Sequence, residues 1–196
     1  MQDVTELVII IDKSGSMHSL TDDVIGGYNS LIEEQAKEGE TLVTTVFFND
    51  SIKFIHERED IKNIKPIDKR NYQAGGCTAL LDAIGDAIAF IKNKHASLMA
   101  DELPKNVIVS IMTDGMENSS KEYSYKRIKD MIELQKKCGW TFIFQAANID
   151  TEYEANRLGI DPGMAMTFEA SEGNVYKQMK CCSSVISKAR KSTKRK

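Results

Sequence analysis

A chain of 196 residues, 41% of them hydrophobic, suits one domain with a single sizeable core. Its net charge of −3 is unevenly spread: the last eleven residues, ISKARKSTKRK, hold six Lys/Arg and no acid, leaving −9 for the remainder, which argues against an extended nucleic-acid surface on the body. No stretch approaches the roughly 20 apolar residues of a membrane span, and the opening MQDVTELVIII, with two acids before a very short apolar run, does not read as a signal peptide.

In chain order, LVIIID (residues 7–12) is a short, β-branched run without polar alternation, the pattern of a strand covered on both faces in a parallel sheet. Residues 22–37 follow with helical spacing at Val24, Tyr28, Leu31 and Ile32, with Thr21 or Asp22 expected as N-cap. TLVTTVFFN and SIKFIHE read as two strands joined by a tight Asn49-Asp50 hairpin, which makes one strand antiparallel. A long helix is expected over 78–98, with Leu80, Leu81, Ile84, Ile88 and Ile91 on one face, then a continuous apolar strand, NVIVSIMTD (106–114). A helix from about Glu122 to Cys138 stops at Gly139, and WTFIFQAA (140–147) is the next strand. A short helix (151–158), a short strand near Met166–Phe168 and a final helix from about Glu172 complete the body.

Strand–helix alternation predicts an α/β, doubly wound (Rossmann-like), mostly parallel sheet with one antiparallel edge strand and helices on both faces. A single domain is expected over 1–186, followed by a basic, solvated tail over 187–196. Cys77, Cys138, Cys181 and Cys182 form no CxxC pair and no regular framework, and read as reduced thiols of a cytoplasmic protein.

In such sheets the binding crevice lies outside the carboxyl ends of the strands. Three segments converge there. Asp12 ends the first strand and Ser14 and Ser16 follow in the loop; AGGCTALLDAIG places two glycines before Thr78 at a helix start; Asp114 ends a second apolar strand. All the converging groups offer oxygen, and hard oxygen donors suit Mg²⁺, Mn²⁺ or Ca²⁺ rather than zinc. Taken singly, Asp12 and Asp114 read as helix N-terminal charges and the serines as caps; together with Thr78 they read as a metal site.

DKSGSM matches the DxSxS signature of von Willebrand factor A-like (vWA) domains, GGCTALLDAIG resembles that family's threonine-bearing loop, and MTDGMENSS resembles its TDG loop. The resemblance runs in element order from Leu7 to about Phe168, and in size the chain resembles compact bacterial and phage-type members. It implies a metal-ion-dependent adhesion site made by Asp12, Ser14, Ser16, Thr78 and Asp114. It also implies direct ligation by the hydroxyls, aspartates often acting through water, and a last position taken by water or by an Asp/Glu of a protein partner. A monomeric, non-enzymatic binding module is the resulting expectation.

Other residues are weighed against this centre. Asp82 is expected to cap or face solvent, Asn118, Ser119 and Ser120 to form the turn and cap of the next helix (a contact that supports the site or meets a partner being the lesser reading), His18 to face solvent, and Met17 and Met116 to pack the loops down, with apolar footing for a partner as the alternative. A phosphohydrolase or phosphotransferase using Asp12 as nucleophile is the alternative activity, but its DxDx(T/V) pattern needs an acid where Ser14 stands, and no phosphate loop, GxSxG elbow or evident general base accompanies the site. Auxiliary nucleic-acid binding through the tail is the other alternative.

Overall fold

The computed structural model describes residues 2–192. Six strands, β1 (Gln2–Asp12), β2 (Thr41–Phe48), β3 (Ile52–Asp60), β4 (Pro104–Thr113), β5 (Trp140–Ala146) and β6 (Ala165–Thr167), form one sheet in the order β3-β2-β1-β4-β5-β6. All neighbours run parallel except β3, which pairs antiparallel with β2 at the edge, as the Asn49-Asp50 turn requires. Five helices cover the sheet: α1 (Thr21–Gln35), α2 (Leu80–Ala96), α3 (Tyr125–Lys137), α4 (Thr151–Leu158) and α5 (Asn174–Ser192).

The period of two along β1 explains the layering. Leu7, Ile9 and Ile11 point to one face, where they join Tyr28 and Leu31 of α1 and Val175, Met179 and Ile186 of α5. Val8 and Ile10 point to the other, against Ile84 and Ile88 of α2, Ile128 and Ile132 of α3 and Leu158 of α4. A strand buried on both sides has no polar face to display, hence the unbroken apolar run. At Gly27 a Cβ would come within 2.8 Å of the Met179 sulfur, so the absent side chain is what lets α1 and α5 approach.

Three boundaries differ from expectation for local reasons. A 3-10 turn (Gly15–Leu20) precedes α1, so Leu20, not Thr21 or Asp22, occupies the cap, and the Thr21 hydroxyl donates back to the His18 carbonyl at 2.9 Å. α3 begins at Tyr125 because the Asp82 carboxylate accepts from the amides of Lys121, Glu122 and Tyr123 and holds them out of the helix, leaving Ser124 to cap. Residues 187–192, expected in the solvated tail, instead continue α5. There Arg190 is buried and donates to the Thr41 hydroxyl at 2.9 Å, while the Ser187 hydroxyl accepts from Gln35 at 3.2 Å. Charge density alone hid the helical spacing that turns Arg190 inward. The rest of that tail, 193–196, lies outside the described residues.

Candidate metal centre

The strand order reverses between β1 and β4: the chain steps outward from β1 to β3, then crosses to β4 on the other side of β1. The register sets Ile11 opposite Met112, so Asp12 and Thr113 end adjacent strands at the switch point. The Thr113 hydroxyl donates to Asp12 Oδ2 at 2.6 Å, and the Ser14 amide donates to Asp12 Oδ1 at 2.7 Å. Both carboxylate oxygens are thereby fixed within a buried position. The Tyr72 hydroxyl donates to the Asp12 carbonyl at 2.6 Å and anchors the strand end from behind.

The 3-10 turn after Ser14 sets the two serine hydroxyls 3.2 Å apart, and Ser16 donates to Asp114 Oδ1 at 2.6 Å. Asp12, Ser14, Ser16 and Asp114 therefore form one hydrogen-bonded cluster. Thr78 arrives on the glycine loop. A Cβ added to Gly115 would lie 3.8 Å from both Ser16 Oγ and Thr78 Oγ1, which puts the two hydroxyls around the same small space. Thr78 is buried, yet its hydroxyl has no hydrogen-bond partner among the described residues.

Backbone bonds lock the three loops together. The Gly15 amide donates to the Gly76 carbonyl at 3.0 Å and the Gly75 amide to the Lys13 carbonyl at 2.8 Å. Gly76 has φ +81, a conformation that glycine adopts without strain, and its bare Cα leaves room for the Asp50 carboxylate. Asn118 fixes Thr78 by a reciprocal pair: its side-chain oxygen accepts from the Thr78 amide at 2.9 Å, and its amide donates to the Thr78 carbonyl at 3.0 Å. Glu117 accepts from the amides of Leu81, Ser119 and Ser120, tying the loop after Asp114 to the first turn of α2.

The five residues expected from sequence thus meet at one edge. The supporting set of Tyr72, Thr113, Glu117 and Asn118 was not expected there. Thr113 lies inside the TDG-like stretch and could have been found; Tyr72, 60 residues from Asp12, has no local signal. The two methionines part company: Met17 is buried, but Met116 is 64% exposed at the rim, because its loop is held by Glu117 and Asn118 rather than by packing. His18 faces solvent.

Burial pushes Asp12 up to about 6, opposed by the bonds from Thr113 and Ser14 and reinforced by the charge of Asp114. Burial also raises Asp114, against the Ser16 bond. Two carboxylates held close in low dielectric, beside a hydroxyl without a partner, are a donor set short of a positive charge. Among the described residues no cluster of three or more His, Cys, Asp or Glu exists, so a cation here would depend on the serine and threonine oxygens. That chemistry fits a hard divalent ion.

A pH prediction follows. A carboxyl raised in the folded state favours the fold below its ordinary value of 3.8, and that contribution is lost as pH rises through about 6. A cation reverses the penalty by favouring the ionised form. The thermal stabilisation produced by Mg²⁺ is expected to be small at about pH 5 and to grow through a midpoint near 6. Melting curves with and without the ion check this; a shift of constant size across that range would separate Asp12 from the ion.

The sheet order and the helical layers are those of the von Willebrand factor A-type fold, as in solved vWF-type domains that superpose on this chain. The PilB minor pilin of Streptococcus sanguinis superposes with a TM-score of 0.65 at 15% identity, covering 95% of this chain and 62% of the pilin. The chain therefore spans less than two thirds of that protein. The vWF domain of the type V pili tip protein Mfa5 from Porphyromonas gingivalis gives a TM-score of 0.63 at 10% identity, covering 93% of this chain and 94% of that domain. Proximal thread matrix protein 1 from the mussel byssus, solved with a zinc-occupied MIDAS motif, gives 0.56 at 16% identity over 93% of this chain and 46% of its own. No family model matches the sequence, and neither does any curated protein.

Proposed function

We propose that this chain is a metal-dependent protein-binding module. Ser14, Ser16 and Thr78 offer hydroxyl ligands and Asp12 and Asp114 the negative charge for Mg²⁺, Mn²⁺ or Ca²⁺. The ion would supply a Lewis-acid point of attachment for an Asp or Glu carboxylate of a partner protein. The observation that carries this reading is the convergence of two buried carboxylates and three hydroxyls from three separate loops on one rigid strand edge. Exposed Met116 at the rim gives a partner apolar footing beside the ion. The pilus and byssus proteins that share the fold, one with zinc in its MIDAS motif, support the same reading.

Binding is favoured over catalysis by the absence of a second acid beside Asp12 in the chain. The place of a neighbouring acid/base is taken by Ser14. No helix among the described residues is long and apolar enough to cross a membrane. The free cysteines suit a reducing, cytoplasmic setting, and we read the module as a monomer.

The test uses a random peptide library displayed against the immobilised, Mg²⁺-loaded domain and eluted with EDTA. Eluted peptides are expected to share a required Asp or Glu, and changing it to Asn or Gln should abolish binding. Thr78→Ala should weaken peptide binding more than ion affinity, because only contacts that differ between the two states couple them; Asp12→Ala should weaken both. Peptides without a required acid that stay bound in EDTA would place recognition elsewhere.

A further inference from the structure

We propose that a second cavity, at the opposite ends of the strands from Asp12, binds a small organic anion with a flat apolar body. The cavity has a volume of about 370 Å³ and opens between the C-terminal ends of α2 and α3 and the starts of β4 and β5. That is the lower end of the range for small-molecule sites and suits a fragment-sized ligand. Trp140, Val107 and Leu103 give it apolar walls. Trp140 is 8% exposed, held edge-on by the His95 ring at 6.1 Å and stacked on Phe142 at 6.2 Å, so the indole is a rigid part of the wall.

The polar groups on this wall identify the charge of the ligand. Lys92 of α2 and Lys105 of β4 line the cavity, and no carboxylate does. Lys92 has no ion-pair partner among the described residues, and Lys105 reaches Asp3 only at 3.9 Å. His95 also lines the space, but its Nε2 lies 3.2 Å from Glu6 Oε2. The carbonyl ends of α2 and α3 oppose an anion by a fraction of a charge each, but Lys94, Lys136 and Lys137 sit in those last turns to answer them. Lys92 is left for a ligand, and Lys105 can exchange its long pair with Asp3 for one.

Gln135 is an independent pointer. It is 5% exposed, lines the cavity, and its side-chain amide forms no hydrogen bond among the described residues. The amide is open to the cavity, where a carboxylate would accept from it. Apolar walls that include one indole, one unpaired ammonium group, a second held only by a long ion pair, and one amide facing the space describe a site for an aromatic monocarboxylate.

Trp140 is the chain's single tryptophan, so its fluorescence reports the site directly. Phenylacetate and its neutral counterpart phenylacetamide are the probes. Phenylacetate should give a saturable change with a dissociation constant in roughly the millimolar range, as expected for about ten heavy atoms, and phenylacetamide should bind at least about tenfold more weakly. The Lys92→Gln/Lys105→Gln double variant should erase that preference. Gln135→Leu, close to isosteric, should weaken phenylacetate several-fold without lowering the melting temperature. Equal binding of the two probes, a merely linear quenching, or undiminished phenylacetate binding in the double variant would each overturn the proposal.

Discussion

Asp114→Ala is expected to lower Mg²⁺ affinity by at least about a hundredfold, beyond the 10- to 100-fold typical of residues that only support a ligand, while the domain stays folded. Asp114 supplies one of the two charges of the proposed ligand set. Its carboxylate accepts one side-chain bond, from Ser16, whose exposed hydroxyl can turn to water when the acceptor is gone. Burial raises the Asp114 carboxyl in the folded state, so removing the carboxylate also removes the cost of burying its charge. The ion-free variant should therefore melt no lower than wild type. Asp12→Ala differs: it leaves the Ser14 amide without an acceptor, about 1–3 kcal/mol when buried, and leaves the Thr113 hydroxyl only its longer bond to the Gly115 carbonyl at 3.1 Å, so it should cost stability as well as affinity. Calorimetric titration together with melting curves separates the two. Wild-type affinity in Asp114→Ala would remove that residue from the site.

The largest effect on stability is expected at Tyr72. Its ring is buried and packs edge-on to Phe47 with centroids 5.3 Å apart, and its hydroxyl holds the Asp12 carbonyl. Tyr72→Ala opens a cavity under the site and should cost about 3–5 kcal/mol, the range for large aromatic truncations. Tyr72→Phe keeps the packing and removes one hydrogen bond, about 0.5–1.5 kcal/mol. If Tyr72 positions the end of β1 as well as filling space, Tyr72→Phe should also weaken Mg²⁺ binding several-fold. Unchanged ion affinity in Tyr72→Phe would reduce Tyr72 to a packing residue. Denaturant unfolding and ion titration on the same two variants distinguish these roles.

The legible parts of this molecule are those whose physics is local or periodic. Five consecutive apolar residues before Asp12 are satisfied by a strand covered on both faces, and that places the carboxylate at a strand end. The alternation of strands and helices then leaves few arrangements of the sheet. That Asp12, Ser14, Ser16, Thr78 and Asp114 would meet at one edge was readable because each lies at or within a few residues of a strand end or the start of α2. Their supports were not, because they act across the fold. Tyr72 reaches Asp12 from an irregular loop, Asn118 reaches back to Thr78, and Asp82 caps a segment about 40 residues away. Met116 and Arg190 show the reverse error: an apolar residue expected to pack is exposed, and a basic residue expected in solvent is buried against Thr41. Composition weighs a residue by type, whereas burial depends on where the backbone bonds hold its Cα.

The central claim is that Asp12, Ser14, Ser16, Thr78 and Asp114 hold one divalent cation. Anomalous diffraction from crystals of the domain grown with Mn²⁺ tests it most directly. The account predicts one strong peak at the β1/β4 switch point, within coordination distance of the Ser14 and Ser16 hydroxyls and reaching both aspartates directly or through water. A peak elsewhere, or none at this edge with Mn²⁺ in excess, would contradict it.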